Sequence, residues 1–280
     1  MPLVHRLLFA WRRHWPHYLA EAAGIAFFVG CSGLLTMLME HPASPVRRAL
    51  PDSELLRRAL IGAGVCLVLV LIVYSPWGKR SGAHINPAVT LAFWQLGKIK
   101  PADALWYVLA QVAGAIGAAQ LLKYLFGKLY AHPAVSYTVT EPTAPTQQAA
   151  LVAFAAEFFI SLLLMLVALK ALHSTRLKEW TGWLQGALLG LYVTFETPFS
   201  GMSLNPARTL GTAVAADSYR GLWVYWLAPP LAMWLATVVF LRFHHGQSLE
   251  CAILAGCAPV AASPHVQEVE PPHYPAEKAA

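Results

Sequence analysis

Two asparagines, Asn86 and Asn205, head the residues of this chain best suited to chemistry, and the chemistry is hydrogen bonding rather than covalent change. Each opens the triplet Asn-Pro-Ala (Asn86-Pro87-Ala88 and Asn205-Pro206-Ala207) inside a longer near-copy. The copies are Ser81-Gly82-Ala83-His84-Ile85-Asn86-Pro87-Ala88-Val89-Thr90-Leu91 and Ser200-Gly201-Met202-Ser203-Leu204-Asn205-Pro206-Ala207-Arg208-Thr209-Leu210. Asparagine is a good helix N-cap, proline is favoured at the first helical position, and the side-chain NH2 remains able to donate to a passing solute. The extended backbone before each cap, Gly82-Ala83-His84 and Gly201-Met202-Ser203, would offer a ladder of carbonyl acceptors. Arg208, directly after the second triplet, carries a permanent charge that is expensive in lipid, so it should face a wet cavity, where it would donate to solutes and oppose cations.

The elements that must position these residues follow from length. From Asn86 to Gly97 a helix reaches only about 16–18 Å at ~1.5 Å per residue, roughly half of a hydrocarbon core of about 30 Å. The second copy runs from Asn205-Pro206 to about Ala216, before Asp217. Duplicated half-spans in corresponding places point to a transport site at the membrane midplane. Two half-helices entering from opposite faces would bring their amino-terminal ends together, each with roughly half a positive charge and unpaired N–H groups. A cation meets a repulsive field there, while a neutral solute does not.

Composition agrees. The 280 residues are 57% hydrophobic and only 12% charged, with a mean hydropathy of +0.51, against roughly 25% charged in soluble domains. Six apolar spans stand out: about Tyr18–Met39, Ala59–Gly78, Ala104–Leu122, Ala149–Leu169, Trp180–Phe195 and Gly221–Leu241. Ala20-Glu21-Ala22-Ala23-Gly24 in the first resembles Ala156-Glu157-Phe158-Phe159 in the fourth, so each half reads as helix, helix, half-helix, helix. With three spans per half, the second copy enters the membrane upside down. The sequence therefore predicts an all-α membrane protein, an inverted repeat of six transmembrane helices plus two re-entrant half-helices. Repeat one is expected at about 18–124 and repeat two at about 149–243, the whole channel domain covering 18–243.

The flanks carry charge rather than fold. Residues 1–17 are basic (Arg6, Arg12, Arg13), and the following run is longer than a signal-peptide core, which predicts an uncleaved first helix. The net charge of +6 is explained by basic residues at span ends, so nucleic acid is not an expected partner. With the amino terminus inside, twelve Lys and Arg lie inside and seven outside, Arg208 being assigned to the pore; this favours cytoplasmic termini in the cell (inner or plasma) membrane. Residues 244–280, with Pro259, Pro264, Pro271, Pro272 and Pro275, are expected to be a disordered cytoplasmic tail. Cys31, Cys66, Cys251 and Cys257 show no CxxC spacing, so neither a metal site nor a disulfide framework is expected.

With both copies of the motif in place, the chain resembles the aquaporin (major intrinsic protein) family over about Leu19 to Arg242. The resemblance also rests on Ala20-Glu21, Ala110-Gln111-Val112-Ala113-Gly114-Ala115, Ala156-Glu157-Phe158 and Trp223-Val224-Tyr225-Trp226-Leu227-Ala228-Pro229. Tyr74-Ser75 and the Ser81–Asn86 run are similar to the bacterial and nodulin-like branches. The resemblance implies a homotetramer in a lipid bilayer, with one pore per subunit for water or small uncharged solutes and no cofactor. It also implies that Glu21 and Glu157 accept hydrogen bonds from the re-entrant loops and hold them in place. Counting without gaps, it places the outer constriction at Cys66, Val193, Met202 and Arg208. Cys66 and Val193 are smaller and less polar than the aromatic and histidine usual in strict water channels, whereas Thr209, Ala213, Tyr225 and Trp226 resemble the water-channel side. Water is the first expectation and glycerol or another small neutral solute the alternative. A coupled secondary transporter would have to use Glu21 and Glu157 for its ion. No nucleophile–base set or metal-ligand cluster suggests an enzyme.

Overall fold

A backbone in lipid must satisfy its own N–H and C=O groups, and long apolar runs do so as helices. The computed structural model describes residues 3–244 and 249–256. In chain order its helices are α1 (Leu3–Glu40), α2 (Pro45–Ala49), α3 (Glu54–Tyr74), α4 (Pro76–Ser81), α5 (Pro87–Gln95), α6 (Pro101–Phe126), α7 (Lys128–Ala131), α8 (Gln147–His173), α9 (Thr181–Phe195), α10 (Thr197–Ser200), α11 (Pro206–Ala216) and α12 (Leu222–Phe243), with single 3-10 turns at Ser136–Thr138 and Lys178–Trp180. Among the described residues no strand occurs.

Among the described residues five helices are long and apolar enough to cross a membrane: α1, α3, α6, α8 and α12. The expected fifth span, α9, has 15 residues, about 22 Å at ~1.5 Å per residue. Several expected boundaries shift for local reasons. The second span was expected to reach Gly78 but ends at Tyr74, because Ser75 caps α4 through Gly78 N and Pro76 takes its first position. The basic segment 1–17 is not a separate flank: α1 is continuous from Leu3 through Pro16. The tail expected to be disordered from residue 244 is partly packed. Leu249, Cys251 and Leu254 are buried, and Leu249 and Leu254 belong to the main core. Cys251 is also disulfide-bonded, which corrects the expectation that no disulfide forms; Cys31 and Cys66 are free thiols. Pro259, Pro264, Pro271, Pro272 and Pro275 lie outside the described residues.

Packing repeats with the sequence. α1 lies on α6 as α8 lies on α12, and α3 meets α9 between the halves. The half-helix α11 packs on α6 and its counterpart α5 on α12, so each half-helix leans on a long helix of the opposite repeat. Burial is inverted relative to a water-soluble protein. Leu19, Phe27, Leu71, Leu109, Phe159 and Trp234 are exposed, while Glu21, Thr90, Gln111, Glu157, Ser161 and Thr209 are fully buried. That distribution suits a bilayer outside and a polar axis within.

Small residues let the helices approach at the crossings. A Cβ on Gly62 would lie 2.3 Å from the Gly190 carbonyl oxygen, and one on Gly114 would lie 2.3 Å from that of Ala22. Backbone cannot give way as a flexible side chain can, so replacement forces α3 from α9 or α6 from α1. Gly117, on the same helix as Gly114, has no neighbour that a Cβ would meet within 4 Å. Gly62→Leu is therefore expected to lower the melting temperature in detergent by several degrees. Gly117→Ala should hold or raise it, the gain in stability being about 1 kcal/mol at most. Fluorescence-detected size-exclusion after heating checks both, and equal behaviour of the two variants contradicts the crossing.

Candidate functional site

Asn86 and Asn205 precede α5 and α11 in extended conformation, with Pro87 and Pro206 in the first helical turn. Asn86 Oδ1 accepts from Ala88 N at 2.9 Å; Asn205 Oδ1 accepts from Ala207 N at 3.1 Å and Arg208 N at 3.2 Å. With the oxygens committed to capping, the NH2 groups point the other way. Asn86 Nδ2 donates to Leu204 O at 2.8 Å, and Asn205 Nδ2 donates to Ile85 O at 2.7 Å. These reciprocal bonds join the two repeats at the helix starts. Each amide carries two N–H groups, and these bonds use one on each asparagine.

The loops leading to these caps are bent in a costly way. Gly82 and Gly201 have φ of 98° and 79°, and the left-handed turn continues through Ala83 (55°), Ile85 (40°), Met202 (53°) and Leu204 (60°). Glycine tolerates such angles, whereas the other four residues cost of order 1–3 kcal/mol each. Two carboxylates buried to 0% exposure offset this. Glu21 Oε1 accepts from Ser81 Oγ at 2.7 Å and His84 N at 3.0 Å, and its Oε2 from Ile85 N at 2.5 Å and Gln111 Nε2 at 2.7 Å. Glu157 Oε1 accepts from Ser200 Oγ at 2.9 Å and Ser203 N at 2.6 Å, and its Oε2 from Leu204 N at 2.7 Å.

Tyrosines complete the symmetry: Tyr107 donates to Ser81 O at 2.7 Å and Tyr225 to Ser200 O at 2.5 Å. Behind each cap a threonine closes the loop. Thr90 Oγ1 lies 3.1 Å from Asn86 O and 3.2 Å from His84 Nδ1, while Thr209 Oγ1 bonds Ser203 Oγ. Tyr107, Thr90 and the carboxylate contact of Gln111 were not anticipated from the sequence. One signal was available, because Tyr107 follows Ser81 by 26 residues and Tyr225 follows Ser200 by 25.

The two ends of the site differ. On the second-loop side, Arg208 is half-buried and its Nη1 is buried with no hydrogen-bond partner; Glu157, Tyr130 and Tyr225 interact electrostatically with its charge. Met202 is buried and Val193 half-buried, Val193 lying one helical turn beyond the buried Leu189. Cys66 faces α9: a Cβ on Gly186 would lie 3.1 Å from its Sγ. Val65, one residue earlier, lies in the main core beside Ile61 and Ile72. Glu196, at the end of α9, is buried and interacts with Ser200 of the second loop, though neither carboxylate oxygen makes a hydrogen bond of good geometry. On the first-loop side the ladder is partly occupied. Gly82 O accepts from Leu254 N at 3.1 Å, and His84 Nε2 lies 3.0 Å from Ala252 O. Among the described residues no cluster could hold a metal ion.

The carboxylates can be tested directly. Glu157→Ala would leave Ser203 N, Leu204 N and Ser200 Oγ without acceptors in a water-poor interior, at about 1–3 kcal/mol for each stranded group. The melting temperature should fall well below that of a variant at an exposed, lipid-facing position such as Leu163→Ala. An unchanged melting temperature contradicts the role given to Glu157.

Comparison with known proteins places this geometry. A family model described as "Major intrinsic protein" matches residues 10–240. Aquaporin NIP6-1 of Arabidopsis thaliana is 37% identical over 201 residues, 71% of this chain and 62% of that protein. Aquaporin NIP3-1 of Oryza sativa subsp. japonica is 39% identical over 189 residues, 65% of this chain and 58% of that protein. The chain thus spans about three-fifths of the length of these plant relatives. An X-ray structure of the aquaglyceroporin from Plasmodium falciparum superposes with a TM-score of 0.61 at 19% identity, covering 82% of this chain and 94% of that one, which shows the shared fold. With a family model matched from residue 10 to 240 and two capped half-helices stitched through Asn86 and Asn205, this chain belongs to the major intrinsic protein family.

Proposed function

We propose that the protein is a passive channel for water and other small uncharged solutes that excludes ions and protons. The observation that carries this reading is the reciprocal bonding of Asn86 to Leu204 O and Asn205 to Ile85 O. It fixes two helix amino termini against each other and leaves one N–H per asparagine for a solute oxygen. The dipole ends of α5 and α11 then repel a cation where they meet. A hydronium ion meets the same field. A water molecule accepting from both amides has its oxygen oriented by them and is poorly placed to pass a proton onward. No covalent step is involved, and the asparagines, having spent their oxygens on caps, act only as donors.

Arg208 supports the same reading. A guanidinium nitrogen that is buried and unpartnered is costly unless a mobile solute or water supplies the missing acceptor. With Val193, Met202 and Cys66 it forms the proposed outer constriction. Because the Cys66 thiol turns toward Gly186, Val65 is the competing contribution from α3. Either choice is small and without a second strong donor, which admits solutes larger than water; glycerol is the alternative substrate. We further place the termini in the cytoplasm, on the excess of twelve Lys and Arg over seven, and infer a homotetramer in a cell membrane from family membership.

Stopped-flow light scattering on proteoliposomes is the test, with an impermeant osmolyte for water and a glycerol gradient for glycerol. Flux of water, glycerol or both should exceed that of protein-free liposomes; flux equal to theirs for both solutes removes the channel reading. Dependence on an ion gradient would instead favour a coupled transporter using Glu21 and Glu157.

Arg208→Ala should raise the ratio of glycerol to water permeability and admit a cation leak, read with a potential-sensitive dye. Unchanged selectivity together with unchanged leak contradicts its place in the constriction.

A further inference from the structure

Residues 249–256 do not stay with α12, the helix that delivers them. They cross to the turn between α8 and α9 and to the first re-entrant loop. Leu254 N donates to Gly82 O at 3.1 Å, and because a carbonyl can only accept, His84 Nε2 carries the hydrogen it shares with Ala252 O at 3.0 Å. Leu249 and Leu254 are 3% and 6% exposed and join the main core. Glu250 lies 3.9 Å from Lys178 Nζ, and a Cβ on Gly256 would lie 3.0 Å from Lys178 O. The contact on the loop is close, since a Cβ on Gly82 would lie 2.2 Å from Ala252 O.

The place of contact gives these bonds a consequence. Gly82 and His84 are the entrance to the channel on the first-loop side, two to four residues before Asn86. One of the two lone pairs that an entering water could use at Gly82 O is taken by Leu254 N, a carbonyl oxygen having two. The His84 ring is held at both nitrogens, by Thr90 and by Ala252. The segment is neither a helix nor a strand, and no ladder of backbone bonds makes it part of the bundle. Its attachment rests on Leu249, Leu254 and the buried, disulfide-bonded Cys251, with Ala252 and Ala255 against the core, on two hydrogen bonds to the loop and on one solvent-facing ion pair, which screens readily. Such a set of contacts can be released without unfolding the helices.

We propose that residues 249–256 are an autoinhibitory strap that closes the mouth formed by Gly82–His84, and that its release opens the channel. This rests on the channel reading above. In the closed form Ala252 and Leu254 occupy the polar groups that would strip water from a solute at the entrance. In the open form Gly82 O and His84 Nε2 become available to it. Leu249 and Leu254 set the balance, because their burial is the largest apolar contribution to docking.

The experiment compares water flux through three proteins in liposomes: the full chain, a chain ending at residue 246, and the full-length variant Leu249→Asp/Leu254→Asp. The second variant keeps every other residue in case truncation impairs folding, and size-exclusion with circular dichroism verifies each protein. If the strap closes the pore nine parts in ten, its removal should raise unitary flux about tenfold, and the double variant should follow. Equal flux in all three proteins, above that of empty liposomes, overturns the strap and leaves the channel reading standing. Flux indistinguishable from empty liposomes in all three overturns both.

Discussion

A polypeptide that stops halfway across a membrane must satisfy backbone groups where no bulk water reaches them. Residues 82–86 and 201–205 face that constraint, and most of the architecture answers it. Helices are not continued there, since the loops turn left-handed at Ala83, Ile85, Met202 and Leu204 before each cap. The amides freed by those turns are collected by Glu21 and Glu157. Hydrogen bonds to a charged acceptor are worth about 1.5–3 kcal/mol each, the same order as the strain at each bent residue. Four such backbone bonds meet four strained residues. A buried carboxylate, costly alone, is tolerated because three or four donors surround it.

The same device explains why the fold is duplicated. One re-entrant half-helix presents a positive end to the midplane with nothing to hold it. Two of them, related by the repeat, offer each other the carbonyls of Ile85 and Leu204 through the asparagine amides. The opposing long helices then clamp them from the side, α12 on α5 and α6 on α11. On α6 the close approach of Ala115 to Gly211 of α11 goes with Gln111 and Tyr107 reaching the first loop's supports, and Tyr225 reaches the second loop from α12. Packing, strain relief and presentation of donors are therefore one arrangement seen at three distances from the axis.

What the sequence disclosed follows the same division. Caps and breaks are local, so Asn86-Pro87 and Asn205-Pro206 announced the half-helices, and Asp217 ended α11 as its side chain and position suggest. Lone acids in apolar spans are expensive, which singled out Glu21 and Glu157 before any contact was visible. By contrast, the reciprocal Asn bonds join residues about 120 positions apart, and no periodicity encodes them. The charge-free run to Gly78 overstates α3, because Ser75 and Pro76 start a new helix inside it. The packed part of the tail was hidden for a related reason. Leu249 and Leu254 stand in a short, weakly patterned stretch whose order depends wholly on what it touches.

The asymmetry between the two loops is where the duplicated plan stops being a copy. At the position two residues before each asparagine, the second loop has Ser203, whose hydroxyl closes on Thr209 and Asn205 O within the loop itself. The first loop has His84, whose ring reaches Thr90 and still has a second nitrogen to place. A serine is satisfied locally, but an imidazole buried at 2% exposure requires a partner from elsewhere, and Ala252 supplies it. The difference between serine and histidine in otherwise matching loops thus makes one loop complete in itself and the other dependent on a distant part of the chain. The repeat joins the two half-helices symmetrically through Asn86 and Asn205, and this single difference ties the first loop to residues 249–256.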